Sequence, residues 1–156
     1  MALTIRIIHD FLSFSCTHNT QSQLAFLSSV RAFGVGSNLM TGVVPTELGL
    51  LGNDDDEFFD LRNNFFNKTI PTELGMLGQV EAFALDTNSF TGTIPSQIGQ
   101  LTAAKYFDLQ NNKLKGQIPS QIGQFDVRSI IVMSVCGSLF PSHSTLSRYP
   151  PSSHCF

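Results

Sequence analysis

Ile70-Pro71-Thr72-Glu73-Leu74-Gly75 returns as Ile94-Pro95-Ser96-Gln97-Ile98-Gly99 and again as Ile118-Pro119-Ser120-Gln121-Ile122-Gly123. The interval is 24 residues each time, and one pattern, Phe-x-Leu-x-x-Asn-x-(Phe/Leu)-x-Gly-x-Ile-Pro, fills it without slip. A fixed period of about 20 to 50 residues is the mark of a solenoid. Each unit is too small to bury its apolar face alone and buries it against its neighbours.

Outward from these copies the frame extends to about four and a half units within residues 21–137. Unit one, 21–44, holds Leu27, Val30, Phe33, Val35, Asn38, Met40 and Gly42 but has Gln21 where the others have Pro. Unit two, 45–70, carries two extra residues within 52–57, and Lys68 stands in the slot of Gly42, Gly92 and Gly116. Units three (71–94) and four (95–118) are regular. Unit five, 119–137, is partial: Phe125, Ile131 and Met133 fit, Cys136 replaces Asn, and no Gly-x-Ile-Pro follows.

The pattern resembles the leucine-rich repeat family, in its plant-type class with consensus LxxLxxLxLxxNxLxGxIPxxLGxL. The resemblance covers roughly residues 21–133. It implies an α/β repeat solenoid: a right-handed arc with a parallel β-sheet on the concave side and short helical turns on the convex side. It also implies a non-enzymatic, receptor-like or inhibitor-like module that binds protein, peptide or polysaccharide through the concave face, in an extracellular or cell-surface setting. The alternative is a structural, self-associating fragment of a longer receptor-like protein. The paired cysteines that often cap such arrays are missing.

The residues themselves explain the coil. Phe83 and Leu85 are two apart and share one face of a strand expected over residues 81–86, while Ala82, Ala84 and Asp86 take the other. The inward ladder is then Phe33/Val35, Phe59/Leu61, Phe83/Leu85, Phe107/Leu109 and Ile131/Met133. Asn38, Asn64, Asn88 and Asn112 recur at one slot, where a buried amide can pair with backbone groups otherwise left unpaired. Gly42, Gly92 and Gly116 suit a backbone with positive φ. Pro95 suits the first position of a short helical turn and Gly99 its C-terminal end. Parallel strands joined in this way wind right-handed.

Composition bounds the rest. The chain has 156 residues and a formal net charge of −3. Residues 45–94 net −7 and the remainder nets +4, which is neither basic enough nor patterned for nucleic acid. Cys16, Cys136 and Cys155 give neither a disulfide framework nor a metal spacing. In the first 16 residues His9 and Asp10 split the apolar run that a signal peptide needs. No stretch approaches the ~20 apolar residues of a membrane span. Residues 1–20 form a flank whose Phe11, Leu12 and Phe14 are expected to cover the first coil as an improvised cap; uncapped ends would favour self-association. Residues 138–156, rich in Ser, Pro and His, are expected to be disordered.

The sequence holds no catalytic constellation: Ser and His co-occur only in the tail, with no scaffold to fix a nucleophile against a base. Neither a cofactor nor a metal is expected, and Asp54-Asp55-Asp56-Glu57 reads as a solvated acidic loop. Asn67-Lys68-Thr69 is a glycosylation sequon that can act only in a secreted chain. The face opposite the inward ladder is the candidate ligand site: Phe58, Asp60, Arg62, Asp86, Tyr106, Asp108 and Gln110. Phe58, Arg62 and Tyr106 are of the types that anchor interfaces. Five strands of about five residues cover near 300 Å², below the ~800 Å² per partner of a standard interface. Such a face suits a peptide or glycan, or part of a larger surface.

Overall fold

The computed structural model describes residues 32–51, 58–125 and 130–133. The expected cap, the acidic insertion, Cys136 and the tail lie outside the described residues.

Each coil repeats one path. A strand, β1 (Ala32–Gly34), is followed by a second short strand, β2 (Thr41–Gly42), and a 3₁₀ turn, η1 (Thr46–Leu50). The sequence then continues with β3 (Phe58–Asp60), β4 (Phe65–Lys68) and η2 (Thr72–Met76); β5 (Ala82–Ala84), β6 (Ser89–Gly92) and η3 (Ser96–Gln100); β7 (Tyr106–Asp108), β8 (Lys113–Leu114) and η4 (Ser120–Gln124); and β9 (Ile130–Val132). The first strand of every coil joins a five-stranded parallel sheet in the order β1-β3-β5-β7-β9, the concave side of a right-handed arc. The second strands form a four-stranded sheet, β2-β4-β6-β8. The architecture is the expected repeat solenoid, with helical turns of 3₁₀ type.

The inward ladder fills the spine. Phe59, Phe83 and Phe107 are at most 1% exposed, and the rings of Phe33, Phe59, Phe83 and Phe107 stack at 5.4–5.5 Å. Phe125 closes this column edge-on, 5.2 Å from Phe107. A second column pairs Phe66 with Phe90. Stacked phenylalanines add to the burial term an aromatic contribution of about 0.5–1.5 kcal/mol per pair.

The Asn slot stitches coil to coil. Asn88 Nδ2 donates to Leu61 O in the preceding coil at 2.9 Å and to Leu85 O and Asp86 O in its own. Its Oδ1 accepts from Phe66 N at 3.0 Å. Asn64 and Asn112 repeat this pattern. Of the four, Asn64 is buried, Asn88 and Asn112 are half-buried and Asn38 is exposed. Asn38 Nδ2 reaches Val35 O and Gly36 O of its own unit.

Three local expectations need correction. The strand expected over residues 81–86 contracts to Ala82–Ala84, although its ladder continues through Leu85 N to Asp108 O at 2.9 Å. Pro95 is the N-cap of η3, in extended conformation, and the turn starts one residue later. Gly99 lies inside η3 rather than capping it, and its role is steric: an added Cβ would sit 2.4 Å from Gln121 Cβ. A Cβ added to Gly75 would likewise run into the Gln97 carbonyl oxygen, 2.3 Å away. These glycines let successive 3₁₀ turns stack backbone to backbone. By contrast Gly42, Gly92 and Gly116 do have positive φ, and Lys68, which replaces glycine in that slot, adopts φ 69°.

Candidate ligand-binding face

Register places the candidate residues in rows across the concave sheet. The first row is Ala32, Phe58, Ala82, Tyr106 and Ile130; the second is Gly34, Asp60, Ala84, Asp108 and Val132. Two residues further along the chain, Gly36, Arg62, Asp86 and Gln110 continue the pattern. Large side chains therefore rise from β3 and β7, while β5 between them offers Ala82 and Ala84.

Strand ends fix the carboxylates. Asp60 Oδ1 accepts from Arg62 N, and Asp108 Oδ1 from Gln110 N, both at 2.9 Å. Each aspartate thus bonds the backbone two residues on in a local turn, while the intervening amides, Leu61 N and Leu109 N, keep their bonds to the neighbouring strand. The remaining oxygens are also occupied. Asp60 Oδ2 pairs with Arg62 Nε at 3.0 Å; Asp108 Oδ2 accepts from Tyr106 Oη at 2.9 Å and Gln110 Nε2 at 3.2 Å.

Electrostatics differ across the face. Asp108 is 2% exposed, and burial raises its carboxyl above the usual range despite the bonds that oppose the rise. Burial, then the bond to Asp108 and the nearby Asp108 and Asp86 charges, push the Tyr106 phenol up to about 12, so at neutral pH it is a donor. Asp86 is nine-tenths buried; its Oδ2 accepts from Thr87 Oγ1 at 3.2 Å, and its Oδ1 has no partner.

Beside β3 lies a cleft of about 420 Å³ lined by Ala32, Gly34, Gly36, Ser37, Phe58, Asp60 and Arg62. Its glycines, flanking positions of the first unit, set its shape. A Cβ on Gly34 would meet the Phe58 ring at 2.9 Å, and one on Gly36 the Asp60 carboxylate at 2.9 Å. Phe58 and Asp60 thus lean over the first unit because Gly34 and Gly36 carry no side chains there. The signal was present as small residues in one unit facing large ones in the next.

All seven candidates share the concave sheet or the turns that end its strands. Phe58 is 39% exposed, Arg62 is exposed, and Tyr106, Gln110 and Asp60 are half-buried. Asp86 and Asp108 are buried at the floor. Asn67 of the sequon is half-buried on β4, on the second sheet. Among the described residues no group of three or more His, Cys, Asp or Glu is placed to hold a metal ion, and no helix is long and apolar enough to cross a membrane.

Comparison with known proteins agrees with this architecture. Residues 104–125 match the Leucine Rich Repeat family profile. No curated protein sequence matches the chain. Among solved structures, the BIR2 ectodomain from Arabidopsis thaliana is 28% identical, with TM-score 0.61, over 81% of this chain and 64% of its own. The BIR3–SERK2 complex from Arabidopsis thaliana is 26% identical, with TM-score 0.60, over 74% of this chain and 61% of the other. A plant ice-binding protein at 23% identity shares the fold alone, with TM-score 0.62 over 74% of this chain and 36% of that one. Other matches are ectodomains of an Arabidopsis receptor kinase solved with a peptide hormone bound. The chain spans under two thirds of the length of the ectodomains it matches. Residues 104–125 thus carry a leucine-rich repeat match, and the fold of the chain resembles that of plant leucine-rich-repeat ectodomains.

Proposed function

We propose that this chain is a non-enzymatic recognition module that binds a protein or peptide partner through the concave sheet. The observation that carries the reading is the arrangement across β3, β5 and β7. Phe58, Asp60 and Arg62 stand on the β3 side and Tyr106 and Gln110 on the β7 side of a floor made by Ala82, Ala84 and the buried Asp86 and Asp108. Strand spacing puts β3 and β7 about 10 Å apart, wide enough for one extended chain to lie between them. Phe58 and Tyr106 provide apolar area with few rotamers to freeze, and Arg62 provides a planar donor. The hydrogen bonds that hold Asp60, Asp108 and Tyr106 reduce the ordering cost of binding. The matched ectodomain complexes support a protein or peptide partner.

A titration panel of peptides and cell-wall oligosaccharides against the intact chain tests this. Phe58→Ala and Tyr106→Ala should each weaken binding by more than about 1 kcal/mol, and Gln97→Ala, on the exposed side of η3, should not. Equal losses from all three would remove the concave face as the site. Binding confined to oligosaccharides would replace the peptide with a glycan.

A further inference from the structure

Asp86 stands apart from the other buried polar residues. Asn64 and Asp108 have both side-chain polar atoms engaged, whereas Asp86 Oδ1 is shielded from solvent and has no partner. A buried oxygen without a donor is a local cost, and native proteins keep few of them. The neighbours that could supply a donor are turned away. Arg62, in the same row on the β3 side, pairs with Asp60; Gln110, on the β7 side, bonds Asp108. The strands flanking Asp86 bring two further carboxylates, Asp60 and Asp108, to this end of the sheet, with Arg62 as the cation beside them. The Tyr106 ring lies on the same face, and a phenol face attracts cations.

We propose that Asp86, with Asp108 and Tyr106, forms a subsite for one cationic group of the partner, the guanidinium or ammonium of a basic side chain. The proposal rests on the concave sheet being the binding face. The entering group donates to Asp86 Oδ1 and offsets the excess negative charge. It reaches the oxygen by displacing a neighbouring side chain. Arg62 is the one whose displacement costs least, because its side chain is half exposed and an exposed ion pair contributes little. Swung outward, Arg62 faces the acceptors of the partner's backbone.

The test uses acetyl-arginine methylamide, with acetyl-citrulline methylamide as its uncharged counterpart, titrated into the isotope-labelled full chain by NMR. The arginine probe should shift the amides of Asp86, Thr87 and Gln110 and bind at least about tenfold more tightly than citrulline, the usual gap for a hydrogen bond to a charged partner. Asp86→Asn should remove that preference while leaving the rest of the spectrum, and the melting temperature, unlowered. Added salt should weaken the arginine probe alone. Equal binding of the two probes, no shifts at these residues, or a preference that survives Asp86→Asn each overturns the subsite. If the subsite fails while Tyr106→Ala still weakens peptide binding, the concave face stands as the binding surface and only its cation preference falls.

Discussion

Asn64 and Asn88 each do the work of several backbone partners. Every such amide donates to carbonyls in two coils and accepts from the backbone of the earlier coil, so its removal strands groups that water reaches poorly. Asn64→Ala and Asn88→Ala should each cost about 1–3 kcal/mol in urea melts. Asn38→Ala should cost less, since its amide is exposed and, among the described residues, its bonds stay within one unit; equal losses at all three would mean that contacts between coils are not what the slot provides. Asp108 obeys a different balance. Its folded carboxyl is raised, so the native state holds that proton more tightly than the unfolded chain does. The stabilisation is present below the unfolded value and lost as pH rises through the folded one. At neutral pH the buried charge is therefore a net cost. Asp108→Asn should raise the melting temperature at pH 7, and the gain should shrink on acidification into the carboxylate range. A variant that melts lower at both pH values would show that the lost hydrogen bonds outweigh burial. Alkali acts on Tyr106: with its phenol at about 12 against an ordinary 10.0, the unfolded chain ionises first and stability falls across that interval. Tyr106→Phe should flatten that fall in alkaline melts.

Among elements, the stacked 3₁₀ turns set the spacing of the array. Gly75 lets η2 rest on Gln97 of η3, with an added Cβ only 2.6 Å from a carbonyl carbon. No rotamer can relieve a clash with backbone. Gly75→Ala should cost about 3 kcal/mol, at the upper end of overpacking penalties. Gly123 holds the same place in η4, but among the described residues nothing lies within 4 Å of its Cβ position. Gly123→Ala should change stability by no more than about 0.5 kcal/mol. Comparable losses in thermal melts at both sites would trace the effect to backbone conformation instead of stacking.

Across the whole molecule, contacts join neighbouring coils, so stability is shared along a line. Backbone amides of the central coils, such as Leu61 and Leu85, should exchange most slowly, and those of β9 fastest among the strands. Uniform protection from β1 to β9 would contradict a stack held by neighbours alone. The linear order also explains what could be read beforehand. The phenylalanine column and the Asn slot recur in units one to four, at 24-residue intervals beyond the insertion, and so are written within a single unit. The site is not. Phe58 leans as it does because Gly34 lies in another coil, and Asp86 Oδ1 lacks a donor because Arg62 and Gln110, one unit either way, each turn to their own aspartate. Those facts depend on side-chain choices in two or three units at once, which periodicity averages away. The concave residues could be named in advance, but which were exposed, which were buried and which lacked a donor could not. The same limit applied to Gly99, whose neighbour Gln121 belongs to the next copy.

Unit two carries two surplus residues, yet Phe33 still pairs with Phe59 and Phe59 with Phe83 in unbroken alignment. The pitch of the stack is blind to the length of the segment between η1 and β3. Scaffold and variable length are thereby separated: the ladder, the amides and the glycine seats hold the geometry, while residues 52–57 can be lengthened, shortened or rewritten without disturbing it. That segment leads directly into Phe58, Asp60 and Arg62. Because that segment directly precedes the strand carrying the proposed anchors, insertion and deletion there could change what the chain presents while the framework stays constant.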